Sequence, residues 1–256
     1  MKGLIYKDFM TLRRMLKVFL GVTIGVIVFA FLILLSFKYG NMNAAMADVA
    51  KTENVSMEYI RGLIEKLIYF MMLLPVCFVG DVTTCAMEDA RVGYYKPLSG
   101  MPFSAYQIVG ARFITTFLYG LLGMGASLLA AGIVSFTMEE FVVMEYLAAI
   151  SLFGSVMLIY ACFIHFITYF FGTRYVQFVS AVVLLSPTVV GIIWGFKSGF
   201  FDKSDEELNV ILNSMMSWFG DFMKTGYKIM VPIAVVCVVV FYFASVASYK
   251  VKRRAM

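Results

Sequence analysis

Histidine, cysteine pairs and charged residues are scarce in this chain of 256 residues. It has one histidine, His165, and four cysteines without any C-x-x-C spacing, so it lacks the usual ligands of a zinc site. The cysteines lie in or beside apolar runs and read as small core residues: Cys77, Cys85, Cys162 and Cys237. Charged residues make up only 14%, which excludes a disordered chain and a nucleic-acid-binding domain.

Sequence motifs that hold ATP phosphates or a catalytic nucleophile are also missing. No G-x-x-x-x-G-K-[ST] run occurs, and neither does G-x-S-x-G or H-E-x-x-H. A single histidine without a paired acid makes a poor catalytic centre, so an intramembrane enzyme is the weakest interpretation. We expect a chain that is not an enzyme and holds no cofactor or metal of its own. Its energy must then come from a partner or an ion gradient.

Apolar residues dominate, at 62% of the chain, which is more than a soluble fold of this length can bury. Six apolar segments are each long enough to cross a bilayer as a helix. They are Val18–Phe37, Leu63–Thr84, Phe113–Phe136, Tyr146–Phe171, Phe178–Phe196 and Ile229–Tyr249. The predicted fold class is therefore an all-α integral membrane protein, one transmembrane domain over residues 1–256. Pro75, Pro187 and Pro232 are expected to kink spans two, five and six.

The distribution of charge predicts the orientation of these spans. The two termini, the loop between spans two and three and the loop between spans four and five contain 13 basic and three acidic residues; with Asp81 near the same end of span two, this side has a net charge of +9. The opposite side carries 8 basic and 12 acidic residues, a net charge of −4. By the positive-inside rule both termini are predicted to be cytoplasmic, as an even number of spans requires.

The N-terminus is predicted to form an amphipathic helix on the inner membrane surface. Its apolar residues recur at steps of three and four: Ile5, Phe9, Leu12, Leu16 and Phe19. Lys7, Arg13 and Arg14 fall between them. The alternative is a cytoplasmic extension of span one.

Two further segments lie outside the spans. Ser204 and Glu207 form a capping-box pattern before an apolar periodicity, which predicts an external amphipathic helix between spans five and six. On the predicted cytoplasmic side, residues 86–112 form the one sizeable internal loop, and Pro97, Gly100 and Pro102 give it a sharp corner. A short surface helix with such a corner is suited to contact with a cytoplasmic partner.

Two ionisable side chains inside the spans are candidates for gating or for the transport pathway. His165 lies in the middle of span four, and a hydrogen-bonded packing role is the alternative. Asp81 lies near the cytoplasmic end of span two, where a pair with Arg174 or Arg91 would offset its cost. Span three is rich in glycine and alanine, which indicates close helix packing within one subunit or at a dimer seam.

Together these features resemble the ABC-2 type permease subunits of ATP-binding-cassette exporters. The resemblance rests on the helix Leu4–Phe9 and on the loop that runs from Glu88 through Lys96–Ser104 to Arg112. Among them, the chain is similar to compact bacterial permeases that export amphipathic toxin peptides, the phenol-soluble-modulin exporters. It also resembles sodium-extrusion and antibiotic-resistance permeases of similar size.

The resemblance implies a subunit of the bacterial plasma membrane that exports an amphipathic or hydrophobic substrate. Two copies, or one copy and a related permease, would pair with two separate P-loop ATPase subunits that bind ATP and magnesium. The coupling helix between spans two and three would dock on the ATPase through Glu88, Asp89, Arg91, Lys96, Pro97, Pro102 and Phe103. The N-terminal helix, with Lys7, Phe9, Arg13 and Arg14, would be a second lever.

Two other functions fit the sequence features. A gradient-driven carrier would use Asp81 and His165, and its transport would persist after ATP depletion. A membrane immunity or sensor protein would have no transport cycle, and its protective effect would survive without an ATPase.

Overall fold

The computed structural model describes residues 1–52, 57–92, 100, 102–135, 143–198 and 205–255. Within these residues the chain is helical and contains no β-strand. The helices are α1 (Lys2–Thr11), α2 (Arg13–Tyr39), α3 (Met42–Thr52), α4 (Met57–Met72), α5 (Leu74–Cys77), α6 (Thr84–Arg91), α7 (Ala105–Ser135), α8 (Val143–Phe170), α9 (Val176–Lys197), α10 (Asp205–Thr225) and α11 (Tyr227–Ala255). Two 3₁₀ helices, Phe78–Thr83 and Thr173–Tyr175, precede α6 and α9.

Six stretches of the described residues are long and apolar enough to cross a membrane. They are Arg13–Ile33, Lys66–Asp89, Ala105–Ser135, Met144–Phe170, Thr173–Lys197 and Tyr227–Val251. Each overlaps one of the segments predicted from sequence, so the all-α membrane fold with six candidate spans is confirmed. Helix α10 is not among the six candidate spans. The orientation of the termini stays a prediction.

Span two is not one helix, and Pro75 explains where it breaks. Proline has no N–H to donate and clashes with the preceding turn, so α4 ends at Met72 and α5 begins at Leu74. The chain then tightens into the 3₁₀ helix Phe78–Thr83 before α6 resumes the α-helical geometry. A 3₁₀ stretch in the middle of a span is a common place for a hinge.

The other two prolines do not break their helices. Pro187 lies inside α9, where it leaves the carbonyl of Val183 without its usual donor. The hydroxyl of Ser186 donates to that carbonyl oxygen at 3.0 Å instead. Pro232 lies near the start of α11, where few turns precede it, and this helix also continues.

Helix α7 is the centre of the bundle. It contributes residues to all three clusters of buried apolar side chains: one with α1, α8 and α11, one with α2, α4 and α8, and one with Leu12, Val82 and Cys85. Gly123 brings α7 close to α5, since a Cβ at that position would lie 2.8 Å from the Pro75 carbonyl oxygen. Small residues permit such close approach of two backbones in a membrane.

The small residues of α7 divide between the two predicted roles. Gly120, Ala130 and Ala131 are buried within the subunit, as Gly123 is, which agrees with internal packing. Gly125 and Gly132 meet nothing within 4 Å, so they lie on the outer surface of α7. The helix therefore packs inside the subunit on one side and presents a partly small-residue surface on the other.

Candidate functional site

Four charged side chains from three separate helices meet at the end of the bundle that is predicted to be cytoplasmic. Lys7 and Asp8 come from α1, Asp89 from the last turn of α6, and Arg112 from the third turn of α7. We call these four residues the ionic ring. Asp89 precedes the loop between α6 and α7, and Arg112 follows it, so the ring joins the two helices that flank this loop.

Each residue of the ring contacts two of the other three, so the contacts form a closed circuit. The Lys7 Nζ atom donates to both carboxylate oxygens of Asp89, at 2.7 and 2.6 Å. Arg112 Nη2 donates to Asp89 Oδ2 at 2.5 Å. Asp8 Oδ1 completes the ring, 3.2 Å from Lys7 Nζ and 3.2 Å from Arg112 Nη1. The last two contacts are ion pairs without hydrogen-bond alignment, so Asp89 is held more firmly than Asp8.

The ring is buried, and its charges balance. Asp8, Asp89 and Arg112 are 3%, 6% and 6% exposed, and the Lys7 side chain is 24% exposed. Two cations face two carboxylates, so no net charge is left in the apolar surroundings. Such a group adds little stability compared with apolar packing, but losing any one member leaves an uncompensated buried charge. The ring therefore fixes the relative positions of α1, α6 and α7.

A hydrogen-bonded chain extends this arrangement to α8. The hydroxyl of Thr116 donates to the Arg112 carbonyl oxygen at 3.0 Å, and its oxygen lies 2.8 Å from His165 Nε2. Since the hydroxyl hydrogen is already used, the pattern assigns the imidazole proton to Nε2. His165 is fully buried, and its Nδ1 atom has no hydrogen-bond partner among the described residues. His165 thus connects α8 to the turn of α7 that carries Arg112.

The far end of the loop is anchored as well. Ser104 and Gln107 form a reciprocal capping box: the Gln107 N–H donates to Ser104 Oγ at 3.2 Å, and the Ser104 N–H donates to Gln107 Oε1 at 3.0 Å. Phe103 precedes the cap and packs against the cluster that contains Ile108. Pro102, beside it, is exposed. The cap and Phe103 together fix the direction in which the chain enters α7.

The predicted coupling residues take different positions. Glu88 and Arg91 are exposed on α6, with 3.6 Å between Glu88 Oε1 and Arg91 Nη1, and are accessible to a partner. Asp89 is turned inward to the ionic ring, so it can position the loop but cannot touch a partner here. Lys96 and Pro97, with most of the predicted coupling helix, lie outside the described residues.

The apolar stripe of the N-terminus faces the protein. Leu12 is buried beside Val82, and the Phe9 ring lies 5.5 Å from that of Tyr119. Leu12 lies between α1 and α2, and i→i−4 hydrogen bonds continue through it from Asp8 to Leu16, so whether α1 is separate from span one stays a prediction. Arg13 and Arg14 are exposed. The apolar residues of the N-terminal periodicity therefore contact the protein, and other side chains lie on the outer face of α1.

Asp81 has a different environment from the one expected. It lies in the 3₁₀ helix of span two and is only partly buried. Within the described residues it forms no ion pair, whereas Arg91 pairs with Glu88. The expected pair with Arg174 or Arg91 is therefore not formed. Its backbone carbonyl accepts the Thr84 hydroxyl at 2.6 Å, which supports the tight turn.

Two members of the ring, Asp8 and Arg112, were not selected as site residues from the sequence. A usable signal was present, because Asp8 is the only acidic residue before Asp48 and lies within an apolar periodicity. What the sequence lacks is any indication of which cation meets it across 104 positions. Among the described residues, no group of three or more histidine, cysteine or acidic side chains is placed to hold a metal ion.

At the opposite end of the bundle, an ion pair joins α10 to α8. Lys224 near the end of α10 lies 2.9 Å from Glu145 Oε1 at the start of α8. The hydrogen bond and the negative charge of Glu145 raise the pKa of Lys224 above its usual value. Met223 packs beside it against the cluster of α2, α4 and α8. Both ionic side chains are exposed, so this pair adds little stability.

Comparison with known proteins gives one match. The family model of the ABC-2 family transporter proteins matches residues 55–251, about three quarters of the chain. No curated protein and no solved structure shows significant similarity to the chain. The matched range contains spans two to six, Asp89 and Arg112, but it begins after α1.

Proposed function

The chain belongs to the ABC-2 family of transporter proteins, the membrane components of ATP-binding-cassette transporters, and from this premise we propose that it is an export permease driven at the loop between α6 and α7. The energy would come from a separate ATPase subunit, since the family in general works with one and the sequence has no phosphate-binding loop. The ATPase would contact the loop, and the ionic ring would pass its movement to the spans.

One observation carries this proposal: the loop is held at both ends. On the α6 side, Asp89 is fixed by Lys7 and Arg112, and on the α7 side the Ser104–Gln107 cap and Phe103 fix the start of span three. Force applied between these anchors cannot be absorbed by local unwinding without breaking buried contacts. It is instead passed to α6, α7 and, through Lys7, to α1.

The break in span two supplies a place for the movement. When the partner pushes on the loop, α6 and α7 move together because Arg112 and Asp89 are joined. The 3₁₀ helix Phe78–Thr83 allows α6 to tilt relative to α4 and α5. Such a tilt would open and close a route between the spans in alternation, with an amphipathic substrate entering from the inner leaflet.

Two neighbouring acids on α6 allow a matched test of this coupling. Asp89→Asn removes a charge from the ring, whereas Glu88→Gln makes the same chemical change at an exposed position one residue away. The permease is purified with its candidate ATPase and reconstituted, and export and ATP hydrolysis are measured. We expect Asp89→Asn to retain the complex but to lose most of the substrate-stimulated hydrolysis and the export.

Glu88→Gln is expected to keep the coupled activity, with at most a weaker complex. If no stoichiometric complex with an ATPase forms, the proposed function is wrong. If Asp89→Asn couples as well as Glu88→Gln does, the ring is not the coupling element. Export that continues after ATP depletion and stops with an uncoupler would support a gradient-driven carrier instead.

The assembly we propose contains two ATPase subunits and two permease copies that meet along α9. Helix α9 lies in the least buried of the six candidate spans, and its main contacts with described residues are to α8 and to the 3₁₀ turn before it. The test places one cysteine on α9 by Val190→Cys in a variant that lacks the four native cysteines. The control is Val240→Cys on α11, where the side chain is 56% exposed against 65% for Val190. Crosslinked dimers from the α9 variant alone support this arrangement, and crosslinking at α11 alone refutes it.

The substrate class we propose is amphipathic peptide, exported across a bacterial plasma membrane. Support comes from the resemblance to toxin-peptide permeases and from the high mean hydropathy of the spans, which suits an apolar substrate. Uptake of a labelled amphipathic helical peptide into inside-out vesicles tests it, with a scrambled peptide of equal composition as control. Equal uptake of both peptides, or uptake without ATP, would contradict the assignment.

A further inference from the structure

The outer surface formed by α1 and the first two turns of α2 is basic and lies where the chain enters the membrane. Leu4, Asp8 and Leu12 face inward, whereas Tyr6 and Met10 are 64% and 49% exposed. Lys2 on α1 is also exposed, and the exposed side chains of Arg13, Arg14 and Lys17 in the first two turns of α2 continue this surface. None of these four cations forms an ion pair with a described residue.

The ionic ring gives this face its unopposed charge. Asp8 is the only acidic residue in the first 47 positions, and it is buried against Lys7 and Arg112. Its negative charge is therefore neutralised inside the protein and does not reduce the potential outside. The outer face is left with cations and no anion in its own segment.

We propose that this face, formed by Lys2, Tyr6, Met10, Arg13, Arg14 and Lys17, binds the headgroups of anionic phospholipids. Its position selects a lipid over a protein partner. The first candidate span begins at Arg13, so Arg13, Arg14 and Lys17 lie at the level of the bilayer surface. Just beyond them, the exposed apolar side chains of α2, such as Ile24 and Val28, continue the surface that lipid covers.

The chemistry of the face matches such a headgroup layer. Each lysine or arginine beside an anionic bilayer strengthens binding by about fivefold, and the attraction decays within a Debye length. Tyr6 and Met10 add apolar contact between the cations. The inner face of α1 is held by the ionic ring, so bound lipid would fix the same helix from its other side.

The test compares lipids retained by the purified full chain. The protein is reconstituted in nanodiscs of phosphatidylcholine with about 30% phosphatidylglycerol, a composition with a negative surface. Native mass spectrometry then counts both lipids on the released protein. One variant replaces the four basic residues with glutamine (Lys2→Gln, Arg13→Gln, Arg14→Gln, Lys17→Gln). The matched control exchanges lysine and arginine at the same positions and keeps the charge.

We expect the wild-type protein and the charge-keeping control to retain phosphatidylglycerol at least about fivefold over its share in the disc, which is the strength of one headgroup contact. The glutamine variant should lose this preference, and high salt should weaken it in the wild type. An unchanged preference in the glutamine variant would overturn the proposal. If the glutamine variant keeps its lipid preference but no longer binds the ATPase, the face is a protein-docking surface, and the proposal is likewise wrong.

Discussion

Helices α7 and α9 both lie in apolar candidate spans, yet much of α7 is buried within the protein, whereas α9 is largely exposed on its surface. In the candidate span Ala105–Ser135, 44% of the most apolar 18-residue stretch is buried, and in the span Thr173–Lys197, which includes α9, only 6% of such a stretch is. Apolar content does not explain this difference, because lipid tails are as apolar as leucine side chains. The helices differ instead in their polar and small residues.

Two polar side chains of α7, Arg112 and Thr116, have partners on other helices, whereas two serine hydroxyls of α9 bond within their own helix. Arg112 of α7 pairs with Asp8 and Asp89, and Thr116 bonds to His165 of α8. In α9, the hydroxyls of Ser180 and Ser186 donate to carbonyls of their own helix. A span in lipid is therefore placed by the polar groups that it cannot satisfy alone and by the small residues that let backbones meet.

The largest expected effect comes from removing the charge of Arg112. Arg112→Gln leaves two buried carboxylates with one lysine, and we expect a loss of about 3–5 kcal/mol in the free energy of unfolding. Denaturant unfolding of the detergent-solubilised protein measures it. Arg174→Gln, an exposed arginine at the same predicted end, is the control and should change little. Equal stability of the two variants would show that the ring does not hold α7.

The next effect tests the close approach of α7 to α5. Gly123→Ala places a Cβ 2.8 Å from the Pro75 carbonyl oxygen, and we expect a cost of about 1–3 kcal/mol. Gly125→Ala, two residues along, meets nothing within 4 Å and should be neutral or stabilising, since alanine favours helix. If the two variants unfold at the same denaturant concentration, the packing of these helices is looser than described.

The contact between α7 and α8 gives a smaller effect. Thr116→Val leaves His165 Nε2 without a partner, and we expect a loss of about 1–2 kcal/mol. Thr115→Val is the matched control, because Thr115 is equally buried and bonds only to the Ala111 carbonyl of its own helix. A Thr115 variant as unstable as the Thr116 variant would assign the loss to the helix rather than to His165.

The smallest effect is expected in α9. Gly191 meets nothing within 4 Å, so Gly191→Ala should leave the unfolding midpoint unchanged or raise it slightly, by less than about 1 kcal/mol. Unfolding of the monomeric protein in detergent provides the measurement. A clear destabilisation would mean that α9 packs against protein, which would remove the contrast with α7.

The sequence predicted the spans well and the site only in part. Length and hydropathy are properties of local segments, so all six spans were predicted, with ends within about five residues except that span three begins at Ala105 rather than at Phe113. The break at Pro75 was predicted as a kink, because the missing N–H of proline acts locally. The Ser104–Gln107 pattern could likewise have predicted the start of α7 as a capping box, but this prediction was not made. Asp89 was assigned to the right region but to a docking surface, since a sequence does not show which way a side chain turns.

What the sequence by itself determined is the class of protein: a chain in which 62% of the residues are apolar must span a membrane, because a soluble fold of this length cannot bury so much. The tertiary structure alone decided that Lys7 and Asp8 meet Asp89 and Arg112. Their pairing follows from desolvation, because charges inside an apolar bundle are stable only beside opposite charges, whatever their separation along the chain. With Lys7 and Asp8 turned inward, the cations outside the ring, which are Lys2 on α1 and Arg13, Arg14 and Lys17 at the start of α2, are left exposed.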